Sequence, residues 1–134
     1  MAERTILTAA FYANTAKLLA GEAAGSPYAY IGCDTASMAG LGTASTGLAT
    51  EGTANGFVRA AGTATSETTT HADDTFQITN QFTCADAGET VYGAGVFITS
   101  DSADLGVFHE WAASVAFEVG DKVTETVQVQ AKAD

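Results

Sequence analysis

The chain has 134 residues, 46% of them hydrophobic and 16% charged, which suits one domain over residues 1–134 with a core of its own and excludes a disordered chain. Sixteen acidic residues face five basic ones, for a net charge of −11. The five cations, Arg4, Lys17, Arg59, Lys122 and Lys132, are scattered, which argues against nucleic acid and against an anionic membrane surface as partners.

The opening Met-Ala-Glu-Arg lacks the basic stretch and apolar core of a secretory signal, and no run approaches the roughly 18 apolar residues of a membrane span. The expectation is a protein made in the cytoplasm that stays there or leaves by lysis as part of a particle. Residues 7–20 read as a helix. Leu7, Phe11, Leu18 and Leu19 share a face at the 3.6-residue period, Thr8 is placed to cap the start, and Gly21 is placed to stop it. After Pro27, the run Tyr28-Ala-Tyr-Ile31 reads as a strand.

Residues 34–56 are rich in Gly, Ala, Ser and Thr. Met38, Leu41 and Leu48 punctuate them, which favours an ordered excursion over a linker. Its small residues allow close backbone approach, as at a tight loop or at an interface, where the segment would supply contacts for assembly. A strand is expected over 56–64, with Arg59 on it, and a polar loop over 66–74. Residues 75–83 alternate cleanly, Phe76, Ile78 and Phe82 against Thr and Gln, with Asn80 marking a bulge.

Residues 91–99 are apolar on both faces with Gly93 and Gly95 inside, the mark of a central strand covered on both sides. A turn at 101–104 leads to a long alternating run, 105–119, with Val107, His109, Trp111, Ala113, Val115 and Phe117 on one side and a bend expected near 112–114. Gly120-Asp121 turns the chain into a last strand, Val123, Val127 and Val129 inward. The expected fold is mainly β: an antiparallel β-sandwich of six or seven strands with a short N-terminal helix packed on it.

No catalytic constellation is evident, so no enzyme activity and no cofactor are expected. His71 with Asp73 and Asp74 sits in a polar loop, and His109 and Glu110 point to opposite faces of a strand. Asp101 and Asp104 are weak calcium candidates, since they lack the alternating carboxylates of a dedicated loop. Glu51 and Arg59 flank a strand entry and are expected to pair. Trp111, Tyr28 and Tyr30 could offer an aromatic surface to a ligand, with core packing as the competing role. Cys33 and Cys84 lie in strand-like segments and read as buried free thiols. The acidic surface suits high salt, where self-repulsion is screened, or weak cation binding.

The order of these features resembles a family of small accessory virion proteins of tailed viruses and prophages, of the head-decoration or tail-fibre kind. The similarity runs through Lys17-Leu-Leu-Ala-Gly21, Tyr30-Ile-Gly-Cys-Asp34, Thr46-Gly-Leu-Ala-Thr-Glu51 with Arg59, Tyr92-Gly-Ala-Gly-Val-Phe97 and Gly120-Asp-Lys-Val-Thr-Glu-Thr126. It departs from the family at Gly32 to Asp34, and at Gly93 where an acid is usual. The resemblance implies a non-enzymatic virion protein. Its expected role is to decorate or stabilise a capsid as a trimer or higher oligomer, with itself and the major capsid protein as partners. The alternative is a tail-fibre module that binds a host glycan.

Overall fold

The computed structural model describes residues 3–131; Met1, Ala2 and Lys132 of the reading above lie outside them. The protein is mainly β, with eight strands in two antiparallel sheets and one short helix near the N-terminus. The five-stranded sheet runs β1-β7-β6-β2-β3 and the three-stranded sheet β4-β5-β8. The strands are β1 (Arg4–Leu7), β2 (Tyr30–Asp34), β3 (Ala60–Ala61), β4 (Thr63–Glu67), β5 (Thr75–Thr83), β6 (Glu89–Phe97), β7 (Val107–Phe117) and β8 (Lys122–Gln130).

Helix α1 is Ala9–Leu19, and Thr8 caps it by accepting from the Phe11 amide. The Thr8 hydroxyl also donates to the Leu105 carbonyl at 2.7 Å, tying the cap to the core. Gly21 follows the helix at φ 71°, and Glu22 N–H closes on the Lys17 carbonyl. Leu7 belongs to β1, which pairs with β7, so the helix begins later than expected. Phe11 packs on the core, whereas Leu18 is 44% and Leu19 85% exposed. The apolar stripe on α1 therefore continues past what the protein covers.

One core cluster fills the space between the sheets. Ile31, Cys33, Ala94, Val96 and Val107 come from one sheet, Ile78, Phe82 and Val127 from the other, with Phe57 beside them. A second cluster lies on the other face of the five-stranded sheet. There Phe97, Phe108 and Leu105 meet Met38, Leu41 and Leu48 of the excursion. Neighbours along β6 thus serve opposite cores, as the pleat requires. Gly93 and Gly95 admit the cover: a Cβ at Gly93 would stand 2.7 Å from the Met38 sulfur, and one at Gly95 2.8 Å from Leu48.

The excursion is held by Asp34, which is fully buried. Its carboxylate accepts from the amides of Ala36, Ala49 and Thr50 at 2.8–3.2 Å, closing both ends of the loop. Segment 34–56 was expected to supply assembly contacts. Its apolar residues are spent on the sheet, with Met38 0% exposed, and its exposed residues are small or polar, among them Ala39, Gly40, Thr43 and Ala44.

Other boundaries also shift. The second strand is Tyr30–Asp34 and not 28–31, because Tyr28 turns into the core before pairing begins. The expected strand over 56–64 is two short ones, β3 and β4, between which the chain passes from one sheet to the other at Gly62; Arg59 precedes both. Register along β5–β8 is unbroken from Thr75↔Gln130 to Thr83↔Lys122, so Asn80 makes no bulge and faces Glu125. The irregularity expected near 112–114 is present: pairing jumps from Val91↔Val115 to Gly93↔Glu110. Beyond it Ala113 and Val115 are exposed and not inward, while Phe117 returns to pack on the core beside Phe57.

The excursion is part of the core, so Met38→Ala should cost about 2–5 kcal/mol, the usual range for a buried Met truncation, read as a lower urea midpoint. A deletion of residues 35–50 should abolish cooperative unfolding.

Candidate functional site

Four places in the fold gather polar or aromatic side chains. The first brings together Glu51 and Arg59. Arg59 Nε and Nη2 donate to the two Glu51 oxygens, each at 2.7 Å. Its Nη1 donates to the carbonyls of Thr99 and Ser102 at 2.9 Å, and Asp104 lies 4.0 Å away. The guanidinium stacks 3.4 Å from the Phe97 ring centre, and its side chain is 8% exposed. A planar fork with its donors engaged in this way fastens the excursion to the 98–104 loop. Gly32 leaves the room, since a Cβ there would meet Glu51 Oε2 at 2.7 Å.

Asp104 accepts from the Ile98 and Thr99 amides and from the Thr99 hydroxyl, so its carboxylate organises that loop. Asp101, in the same turn, is exposed and lines a shallow hollow with Glu51 and Arg59. Among the described residues no three His, Cys, Asp or Glu side chains gather as metal ligands would.

The second place is a matching clasp that the sequence reading did not identify. Arg4 Nε meets Glu110 at 2.5 Å, and Arg4 Nη2 donates to the carbonyls of Met38 and Leu41. Glu110 is 2% exposed, with Oε2 left without a partner. The signal was present: an acid follows Phe108 by two residues on the strand face that carries the outer core.

The third is Trp111 with Glu125. The indole N–H donates to Glu125 Oε2 at 3.0 Å, and Glu125 is 5% exposed. Burial pushes the Glu125 carboxyl up to about 7, the Trp111 hydrogen bond opposes this, and Glu3 adds to it. Glu125 occupies an inward position of β8, between Val123 and Val127. The alternation that placed those valines inward also marked this acid. Nearby Cys33 is fully buried and its thiol is pushed far up, first by burial and then by Glu125, Asp34 and Glu51. Both cysteines are buried and unpaired, and a thiol so placed is a poor nucleophile.

The fourth is a cleft of about 640 Å³ between α1 and one end of the three-stranded sheet, walled by Leu7, Phe11, Phe76 and Val129. Tyr12, Asp73 and Asp74 stand at its rim. Asp74 accepts from the amides of Thr69, Thr70 and His71 and from Gln130. These donors hold its carboxyl well below the usual range, the His71 amide foremost. His71 itself is exposed, and His109 Nδ1 bonds the Thr5 hydroxyl at 2.7 Å.

The three aromatics proposed as a ligand surface do not converge. Tyr28 is 6% exposed and stacks on Phe11, so it takes the core-packing role and not the ligand-contact one. Tyr30 packs against the outer cluster, and the Trp111 N–H is already engaged. No family model and no curated protein matches this chain.

Two outcomes follow. Arg59→Met should cost about 1–3 kcal/mol, because the partly exposed Glu51 carboxylate and the Thr99 and Ser102 carbonyls lose their donor, and Arg59→Lys should recover only part of that in urea melts. Glu125 has a folded pKa of about 7 against an ordinary 4.5, so the folded state binds its proton more tightly. Its stabilising contribution is full below about pH 4.5 and declines as pH rises to 7. Glu125→Gln should flatten that decline and melt higher than the parent at pH 8.

Proposed function

We propose that the protein is a non-enzymatic structural component of a tailed-virus particle, which decorates or stabilises the capsid surface as an oligomer. The virion assignment rests on the sequence resemblance that runs from Lys17-Leu-Leu-Ala-Gly21 to Gly120-Asp-Lys-Val-Thr-Glu-Thr126. The observation that carries a contact role is the exposed apolar stretch of α1: Tyr12 is 60%, Leu18 44% and Leu19 85% exposed. Such residues on one short helix, beside an open apolar cleft, suit a surface made to be covered.

The scaffold suits a static role. Loops that lie over the five-stranded sheet are fastened by two arginine clasps and by the Asp34 carboxylate, which leaves little freedom for a lid or a hinge. The partners are further copies of itself and the major capsid protein. An acidic surface gives phosphate no counter-charge, so nucleic acid and anionic membrane are not among the partners. The place of work is the virion, with the host cytoplasm during assembly. The glycan-binding alternative draws less support, since Tyr28, Tyr30 and Trp111 are engaged elsewhere.

Antibody-labelled particles from a producing culture, viewed by cryo-electron microscopy, test this. Label spread regularly over the shell is the expected result. Label confined to the tail would favour the fibre reading, and particles without label would overturn the virion assignment.

A further inference from the structure

The cleft beside α1 and the uncovered end of α1 are complementary. The cleft walls, Phe11, Phe76 and Val129, pack on the core on one side and line the opening on the other. Its volume of about 640 Å³ falls in the range of ligand sites, and its exposed lining is mainly apolar, with Thr15, Thr65, Ser66, Thr75 and Gln130 among the residues around it. The one rim carboxylate with spare capacity is Asp73, which is exposed and accepts only from the Ser66 hydroxyl, at 3.1 Å. Asp74 beside it is already saturated.

Lys17, Leu18 and Leu19 offer the matching chemistry. All three are exposed, a cation followed by two aliphatic side chains. Such a patch is uncommon in a chain with five basic residues against sixteen acidic ones. Phe11, Thr15, Leu18 and Leu19 follow one helix face. The cleft takes the first two, and the leucines project beyond it. They cannot fold back into their own cleft, because Phe11, Tyr12 and Thr15 of the same rigid helix form its wall.

We propose that Lys17, Leu18 and Leu19 of one copy seat in the α1 cleft of a second copy, with Lys17 against Asp73. The contact joins different surfaces of the two copies, so it repeats head to tail and closes into a ring or runs on as a filament. Charge complementarity selects a second copy at the rim: Lys17 is the cation this chain itself presents next to exposed leucines. The inference rests on the self-association part of the proposed function and is independent of which particle carries the protein.

The test is sedimentation velocity of the full chain up to millimolar concentration in about 0.15 M salt, where charges beyond roughly 8 Å are screened. The parent chain should associate, and the double variant Leu18→Ser with Leu19→Ser should lose at least tenfold in affinity while its melt is unchanged. Lys17→Glu and Asp73→Lys should each weaken association alone. Mixed one to one they should assemble again, because each variant then meets its opposite charge at both of its contacts. Association of the serine variant equal to the parent would overturn this interface and leave assembly through another surface. A parent chain that stays monomeric throughout would overturn self-association itself, an outcome separate from particle labelling.

Discussion

A sheet with two apolar faces has to be covered twice, and the rest of this structure follows from that constraint. β2, β6 and the first half of β7 carry large or flat apolar residues on both sides of the pleat. The three-stranded sheet covers one side, and the excursion covers the other. A loop laid on a sheet has no ladder of its own, so its backbone polar groups need other partners. Asp34 accepts three of its amides, and Arg4 takes two of its carbonyls. The glycines of β6 are the other half of this arrangement, since a side chain at 93 would meet the His109 carbonyl of β7 as well as Met38, and one at 95 would meet Leu105 and Leu48.

The charge distribution has the same origin. Arg4 and Arg59, two of the five basic residues, are drawn into clasps that hold loops to the sheet. Lys17 and Lys122 are then the cations left on the described surface. The exterior is therefore more uniformly acidic than composition alone conveys. Salt would ease the self-repulsion of such a surface and so favour close approach of copies.

The helix obeys a different balance. Eleven residues are marginal as an isolated helix, so α1 depends on its cap at Thr8 and on Phe11 docking to the core. Its C-terminal turn carries two leucines whose side chains the fold leaves exposed. That pairing of local apolar pattern with missing tertiary cover is what separates a contact surface from a core face.

Local rules made much of this legible. The period-two runs gave β5 and β8 their faces, the Gly-bearing apolar run marked β6 as covered on both sides, and Thr8 and Gly21 marked the helix limits. These signals lie within a few residues of one another, so they survive without knowledge of neighbours. The pairing of Glu51 with Arg59 was legible for the same reason, the partners standing eight positions apart. Glu125 was legible in principle, as an acid on the inward beat of β8. Its significance came only with Trp111 packed above it, because burial is what makes a carboxylate hold its proton.

Long-range choices were not written in any short stretch. β1 is four residues long and exists because β7 offers it an edge. Glu110 meets Arg4 across more than a hundred residues of chain. The excursion's small residues fit an interface with another molecule as well as they fit one with the chain's own sheet. The sequence by itself determined strand faces, caps and the acidic exterior, because these depend on local geometry and composition. Tertiary structure decided which face each apolar stretch covers, because that depends on where two distant segments come within contact distance.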